Sequence, residues 1–249
     1  AGMTDRAFPR AMFIDADESG NAWRAQPEGD GNLIIVSGAG HAPGRVADTR
    51  ARYRKLAGAL KEAYADAAIK YSWSTQDNVS YDLAPYIGRY SPLHDNIFVA
   101  TGFGKWGMTT STVAGLIIAD MVQKRHNPWL EVYSPLRFVP DTAAAGTLIG
   151  KNARVIETFI KERLTRSPQE PEPGPDEGLV LESGGKRLAV YKDSQGALFR
   201  VSPYCTHMQC VVHWNNAERS WDCPCHGSRF DHTGRVIHSP AVKDLDREE

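Results

Sequence analysis

At 249 residues the chain can hold one large domain or two small ones, and with 41% hydrophobic and 24% charged residues it has the make-up of a globular protein. A formal net charge of −1 excludes the basic footprint of a nucleic-acid binder. The longest apolar run, around residues 113–122, contains Asp120 and is far shorter than the roughly 20 residues of a bilayer span, while the N-terminal residues lack the apolar core of a secretory signal. No transmembrane segment and a cytoplasmic location are therefore expected.

Residues 1–139 read as mixed α/β. MFIDAD, AWRAQ and NLIIVSG are expected strands joined by glycine-rich turns. Residues 49–66 form an expected amphipathic helix, with Tyr53, Leu56, Ala57, Leu60, Ala63 and Tyr64 on one face. IKYSWST follows as a strand, and residues 96–122 as strand, glycine-rich turn and largely buried helix. A further helix is expected over 142–164, with Asp141 as N-cap. Its stripe is Ile149, Ala153, Ile156, Phe159, Ile160 and Leu164, with Val155 on the flank. SPQEPEPGPDEG, residues 167–178, has almost nothing to bury and reads as an extended linker. From there GLVLES, KRLAVYKD and LFRVSPY are strands, with shorter ones near 211–214, 220–222 and 229–231. The expected class is α+β: a mixed α/β region over 1–139, a helix and linker over 140–176, and a small all-β domain over 177–249. Seventy-odd residues are few for a stable core, which makes a metal staple plausible there.

All four cysteines, at 205, 210, 223 and 225, fall in one short window beside histidines, the pattern of a metal site. Within YCTHMQC…WDCPCHGSRFD, a C-x-H and a C-x-x-H knuckle are separated by fifteen residues. Two thiolates and two imidazoles can hold two irons, the cysteines on one and the histidines on the other. Structural zinc is the alternative, but its usual knuckles pair like with like, and each knuckle here is mixed. The motif resembles the Rieske family over residues 177–249. The resemblance implies a [2Fe–2S] cluster held by Cys205, His207, Cys223 and His226. It also implies a Cys210–Cys225 disulfide joining the two cluster loops, a bond unusual in a reducing cytosol unless shielded. Ser228 aligns with a serine that hydrogen-bonds a cluster sulfur, and Phe230 stands where high-potential members have a sulfur-binding tyrosine. A potential between the extremes of the family's range is therefore expected. Ser239, Pro240 and Ala241 resemble the loop that covers the cluster. His213, His232 and His238 have no partner at ligand spacing and read as structural or surface residues.

Upstream, LIIVSGAGHAPG offers Gly38, Gly40 and Gly44 after a strand, but Pro43 intervenes and no acidic residue follows at the required distance. It reads as a strand ending in a turn. The stretch from Tyr81 to Val122 is more informative. Asp82-Leu-Ala-Pro85-Tyr-Ile-Gly88 and the turn with Gly102, Gly104, Gly107, Met108 and Thr109 resemble the flavin-contacting segment of the FAD-dependent amino-acid and amine oxidoreductases, the D-amino-acid oxidase and glycine oxidase superfamily. Glycines let backbone approach a ring system, and N–H groups at a helix start favour negative charge. The family's dinucleotide-binding motif is not found in this chain, so the sequence reads as a fragment, a truncated form or a degenerate member. FAD is expected in the full-length parent.

Together these readings imply a redox protein. FAD in the parent would oxidise a small-molecule amine or amino acid, and the cluster would pass electrons singly to or from a partner whose identity the sequence does not give. The alternative is a non-enzymatic Rieske electron carrier with the upstream region as scaffold. A terminal oxygenase would need a 2-His-1-carboxylate iron site, and His41, His94 and His126 are scattered too widely to suggest one.

Overall fold

A computed structural model describes residues 1–16, 20–137, 142–165 and 172–248. They form two compact units, residues 1–73 with 155–249 and residues 74–154. In the first, strands β1 (Gly2–Thr4), β2 (Phe13–Ile14), β3 (Ala22–Glu28) and β4 (Gly31–Ser37) are followed by helix α1 (Arg50–Ala63) and β5 (Ala68–Ile69). The strands make one antiparallel sheet in the order β2-β3-β4-β1-β5. Leu60 of α1, Ile34 of β4 and Ala67 are its fully buried centre, with Trp23, Val36 and Tyr64 packed around them. The expected strand IKYSWST is reduced to Ile69 with its neighbour Ala68. Beyond it the Lys70 and Tyr71 N–H groups donate to the Ala1 carbonyl at 2.9 and 3.2 Å, and Tyr71 and Trp73 are exposed. Likewise MFIDAD pairs only through Phe13 and Ile14, and its Asp17 lies outside the described residues.

The second unit holds β6 (Tyr86–Ser91), β7 (His94–Thr101), α2 (Gly107–Val122), α3 (Leu130–Tyr133) and the first part of α4 (Thr142–Leu164). β6 and β7 pair as a hairpin. Ile87, Ala114 and Ile117 are buried between the hairpin and α2. The largely buried helix expected at 107–122 is only half covered. Leu116 and Val122 are exposed, because one two-stranded hairpin and a single turn of helix cover one face of α2. Asp141, the expected N-cap of α4, lies outside the described residues.

The rest of the first unit is an all-β domain: β8 (Glu177–Ser183), β9 (Lys186–Lys192), β10 (Leu198–Val201), β11 (His213–Asn215), β12 (Ser220–Asp222), β13 (Arg229–Asp231) and β14 (Val236–His238). They form a three-stranded sheet, β10-β9-β8, and a four-stranded sheet, β11-β12-β13-β14, all antiparallel. Tyr191, Val201, Val212, Trp221 and Phe230 are buried in their common core. Trp214 stacks on Tyr191 at 4.8 Å and lies so flat on β8 that a Cβ at Gly178 would overlap its indole. That close approach requires glycine.

The end of α4 docks on this domain through Phe159 of the expected stripe and the flank beside it, while the rest of the stripe does not dock. Ile149, Ile156, Ile160 and Leu164 are exposed, while Val155, Thr158, Phe159 and Glu162, at helical spacing, are partly covered. Phe159 packs on the β core, Glu162 lies 3.1 Å from His213, and Arg187 donates to the Glu162 carbonyl at 2.7 Å. The histidine beside it holds the Glu162 carboxyl below its ordinary pKa. Polar anchors thus outweigh the longer aliphatic stripe in orienting the helix. Residues 166–171 of the expected linker lie outside the described residues. The rest of it is not free chain. Pro173 is buried, and Asp176 accepts a hydrogen bond from Tyr191 at 3.1 Å and pairs with Arg219 at 3.3 Å.

Candidate metal centre

Two loops and the segment after β14 meet at one end of the all-β domain. The first loop turns between Pro203 and Val212. The Cys205 N–H donates to the Cys210 carbonyl, the Gln209 N–H to the Cys205 carbonyl, and the Val212 N–H to the Pro203 carbonyl, each at 2.8 Å. The second turns between β12 and β13, where the Cys223 N–H donates to the Ser228 carbonyl at 2.8 Å and the Gly227 N–H to the Cys223 carbonyl at 3.1 Å. A Cys210–Cys225 disulfide, with Cα atoms 6.5 Å apart, joins the loops. By chain entropy a bridge over about 15 residues contributes about 3 kcal/mol. The Thr206 hydroxyl donates to the Lys243 carbonyl at 2.6 Å, which ties the first loop to the third segment.

Cys205 and Cys223 carry free thiols and are each 1% exposed. His207 and His226 are exposed, their rings 4.9 Å apart and nearly perpendicular. The four residues named from spacing therefore form two pairs, Cys205 with Cys223 as buried sulfurs and His207 with His226 as exposed imidazoles. The Cys223 sulfur lies within 4.8 Å of both disulfide sulfurs. Those two are already bonded to each other, so the bridge flanks the centre and offers it no thiolate.

The surroundings favour charge on sulfur. The Cys205 thiol is drawn down to about 6 by the facing Cys223, against the opposing effect of burial. The N–H groups of His207 and Met208 and the Ser228 hydroxyl also donate to it. Cys223 is pushed up, because it shares a proton with Cys205 and is buried. The N–H groups of Cys225 and His226 nevertheless point at its sulfur. Burial, and to a lesser degree His207, lower the His226 pKa and keep its imidazole neutral, the form that ligates metal. Two buried cysteine sulfurs with peptide donors and two outward imidazoles fit a [2Fe–2S] cluster with mixed Cys and His ligation.

Ser228 is fully buried; its hydroxyl donates to Cys205 and accepts from the Ala241 N–H at 3.0 Å. Phe230 is fully buried in the core that includes Cys205 and Cys223. His232 packs on Tyr191 and Phe199 away from the centre, and His213 pairs with Glu162.

Sequence reasoning missed a buried network behind the second loop. Arg229 bonds Asp222 at 3.0 Å, Glu218 at 3.0 Å and Ser220 at 2.9 Å. Asp222 also accepts from Asn215 and Ser220, each at 2.8 Å. It missed, too, that residues 44–53 press on the same loop. A Cβ at Gly44 would lie 2.5 Å from the Asp222 carbonyl oxygen, and Arg45 Nε donates to the Pro224 carbonyl at 3.0 Å. The Thr49 hydroxyl is buried 2.6 Å from Asn215 Oδ1 and 2.7 Å from Asn216 Oδ1, and Tyr53 hydrogen-bonds Glu218. These contacts join residues more than 160 positions apart, and the glycine spacing and the expected helix over 49–66 that marked the segment said nothing of them.

The glycine turn of the second unit is a separate feature. Gly102, Gly104 and Lys105 have φ of 79°, 50° and 74°. Helix α2 starts at Gly107, and Trp106 and Met108 are strongly exposed. The Thr109 hydroxyl donates to the Trp106 carbonyl at 3.1 Å. Asp82 and Pro85 of the D-x-x-P run enclose Arg137, which bonds both Asp82 oxygens at 2.8 and 2.7 Å and the Pro85 carbonyl at 3.1 Å. Its guanidinium lies 4.2 Å above the Tyr86 ring.

Two family models match separate parts of the chain. The Rieske [2Fe-2S] domain matches residues 169–247, and the FAD dependent oxidoreductase family matches residues 4–121. YhfW of Bacillus subtilis (strain 168), whose name describes a Rieske 2Fe-2S iron-sulfur protein, is 38% identical over 239 residues, covering 96% of this chain and 47% of YhfW. The cytochrome b6-f complex iron-sulfur subunit of Nostoc punctiforme is 43% identical over 72 residues, 28% of this chain and 40% of that subunit. Among solved structures, the plasma membrane Rieske protein PetC3 from Synechocystis PCC 6803 matches at 34% identity and a TM-score of 0.27, over 29% of this chain and 74% of its own. The chain spans about half the length of YhfW, the curated relative that it matches almost throughout. Among the described residues, no helix is long and apolar enough to cross a membrane.

Proposed function

We propose that this chain, which carries a region of the FAD dependent oxidoreductase family followed by a Rieske [2Fe-2S] domain, is the electron-relaying part of a two-cofactor redox protein. In the whole protein FAD would take two electrons from an amine or amino acid, and the Rieske domain would hand them on singly to a partner of unidentified kind. The observation that carries this reading is the pair of buried thiols and the pair of exposed imidazoles on disulfide-joined loops.

In this proposal residues 177–249 are the cluster domain, 140–176 a helix and connecting segment, and 1–139 the C-terminal part of the flavoprotein domain. Cys205 and Cys223 would hold one iron of the cluster, and His207 and His226 the other. When bound, the cluster supplies a one-electron couple. The chain's own residues set its conditions. Peptide N–H groups and the Ser228 hydroxyl stabilise charge on the cysteine sulfurs. Trp221, Phe230 and Val212 keep water from the inner side, and the exposed imidazoles give an electron partner access. Gly102, Gly104, Gly107, Met108 and Thr109 would present backbone to the flavin in the whole protein. A cytoplasmic site of action belongs to the same proposal, with the disulfide shielded beside the cluster.

Natively loaded protein is expected to carry two irons and two acid-labile sulfides and, when reduced, to give the low-average-g EPR signal of a histidine-ligated cluster. Replacing His207 or His226 should abolish that signal, while replacing His213 should leave it. Stoichiometric zinc without labile sulfide would refute the assignment. Flavin bound by the longer parent, reduced by an amine, would support the upstream half of the reading.

A further inference from the structure

The second cluster loop is held from outside its own domain. Gly44 has φ of 65° and no room for a side chain against the backbone of Asp222, Cys223 and Pro224. This contact brings the next residue, Arg45, to the loop, where its Nε–H donates to the Pro224 carbonyl at 3.0 Å. Four residues on, the buried Thr49 hydroxyl fixes the same segment to Asn215 and Asn216 and accepts from the Ala217 N–H at 3.1 Å. The segment is thus pinned at two points, and the guanidinium is presented to one particular peptide group.

That peptide group matters because its two ends do different things. Its carbonyl belongs to Pro224 and accepts from Arg45. Its N–H belongs to Cys225 and donates toward the Cys223 sulfur. A cation on the carbonyl polarises the peptide and strengthens the donor at its other end, as in any hydrogen-bond chain. A stronger N–H···S bond stabilises the reduced, more negative cluster.

We propose that Arg45 is a positioning residue for the cluster: by polarising the Pro224–Cys225 peptide it strengthens the hydrogen bond to the Cys223 sulfur and raises the cluster's reduction potential. Through this residue the flavoprotein-family region sets the energy at which the cluster accepts an electron. The inference rests on the cluster assignment above.

The test is redox titration of the full chain with its cluster loaded, alongside iron, labile sulfide and melting temperature. Arg45→Ala and Arg45→Gln should keep two irons and two sulfides. They should lower the ratio of reduced to oxidised cluster at a fixed poise roughly twofold or more, the scale of one cooperative bond weakened by about 10–30%. Arg45→Lys, which retains a cationic donor, should recover most of the change. Gly44→Val, which cannot close on the loop, should lower the ratio as Arg45→Ala does. If Arg45→Ala loses its cluster, the comparison of Arg45→Gln with Arg45→Lys carries the test. Loaded variants with the parent's potential, or variants altered only in melting temperature, would overturn the proposal. Parent protein without iron and sulfide would instead refute the cluster assignment itself.

Discussion

Replacing Arg229 with Met removes the only cation that bonds both Asp222 and Glu218 among the described residues. The three side chains are 10%, 4% and 20% exposed, so water cannot compensate for the loss. Breaking a buried ion pair from one side costs about 3–5 kcal/mol, because the remaining charge stays buried and unmatched. Asp222 keeps neutral donors from Asn215 and Ser220, each at 2.8 Å, which places the expected cost near the lower end, about 3 kcal/mol. In a small domain each kcal/mol lowers the melting temperature by about 4–8 °C, so a fall of at least about 12 °C is expected. Thermal unfolding followed by circular dichroism, with cluster absorbance recorded in parallel, measures it. Cluster loss should accompany unfolding, since Asp222 and Arg229 flank Cys223 and Ser228 in the chain. The double variant Asp222→Leu/Arg229→Met should regain part of the stability, as a buried pair replaced by apolar side chains often does. A single variant melting within about 3 °C of the parent, well under one kcal/mol, would refute the account of this network.

Ser228→Ala removes a donor to the Cys205 sulfur and should lower the potential. A bond to a charged group contributes about 1.5 kcal/mol, which for a one-electron couple is on the order of 60 mV. Phe230→Tyr should raise the potential if the new hydroxyl reaches a cysteine sulfur, and voltammetry that finds both variants unchanged would show that neither position acts on the cluster. In the second unit, the Arg137 guanidinium holds the Asp82 carboxyl below the ordinary carboxylate range. A depressed folded-state pKa stabilises the protein above the unfolded value of about 4, and that contribution is lost as pH falls through the folded value. Asp82→Asn should therefore cost about 3 kcal/mol at neutral pH, with the difference from the parent shrinking in acid. Denaturant titrations at pH 7 and pH 3 that give equal differences would contradict this.

The proposed cluster site could be read from the sequence because its candidate ligands are local. Cys205 with His207, and Cys223 with His226, sit one or two residues apart on tight loops, so the chain itself fixes most of each knuckle's geometry, and chemistry limits which metals accept two thiolates and two imidazoles. The strands of the all-β domain were legible for a similar reason, since each shows its own alternation and turn residues. Short β14 was missed, being three residues whose strand character depends on pairing with β13. Helix α4 was placed along the chain but not in rotation. Periodicity marked Ile156 and Ile160 along with Phe159, whereas the tertiary contacts kept Phe159, added Glu162 with His213, and left both isoleucines exposed. Likewise the apolar composition of α2 implied burial, and burial depends on what lies opposite. Most hidden was Arg45. Nothing near it in sequence separates it from any surface arginine, and its contact with Pro224 exists only because folding closes a loop of nearly 180 residues. The sequence by itself determined which side chains are proposed as ligands. The tertiary structure decided which distant donors surround those side chains, because a hydrogen bond between remote residues depends on packing and leaves no spacing in the chain to read.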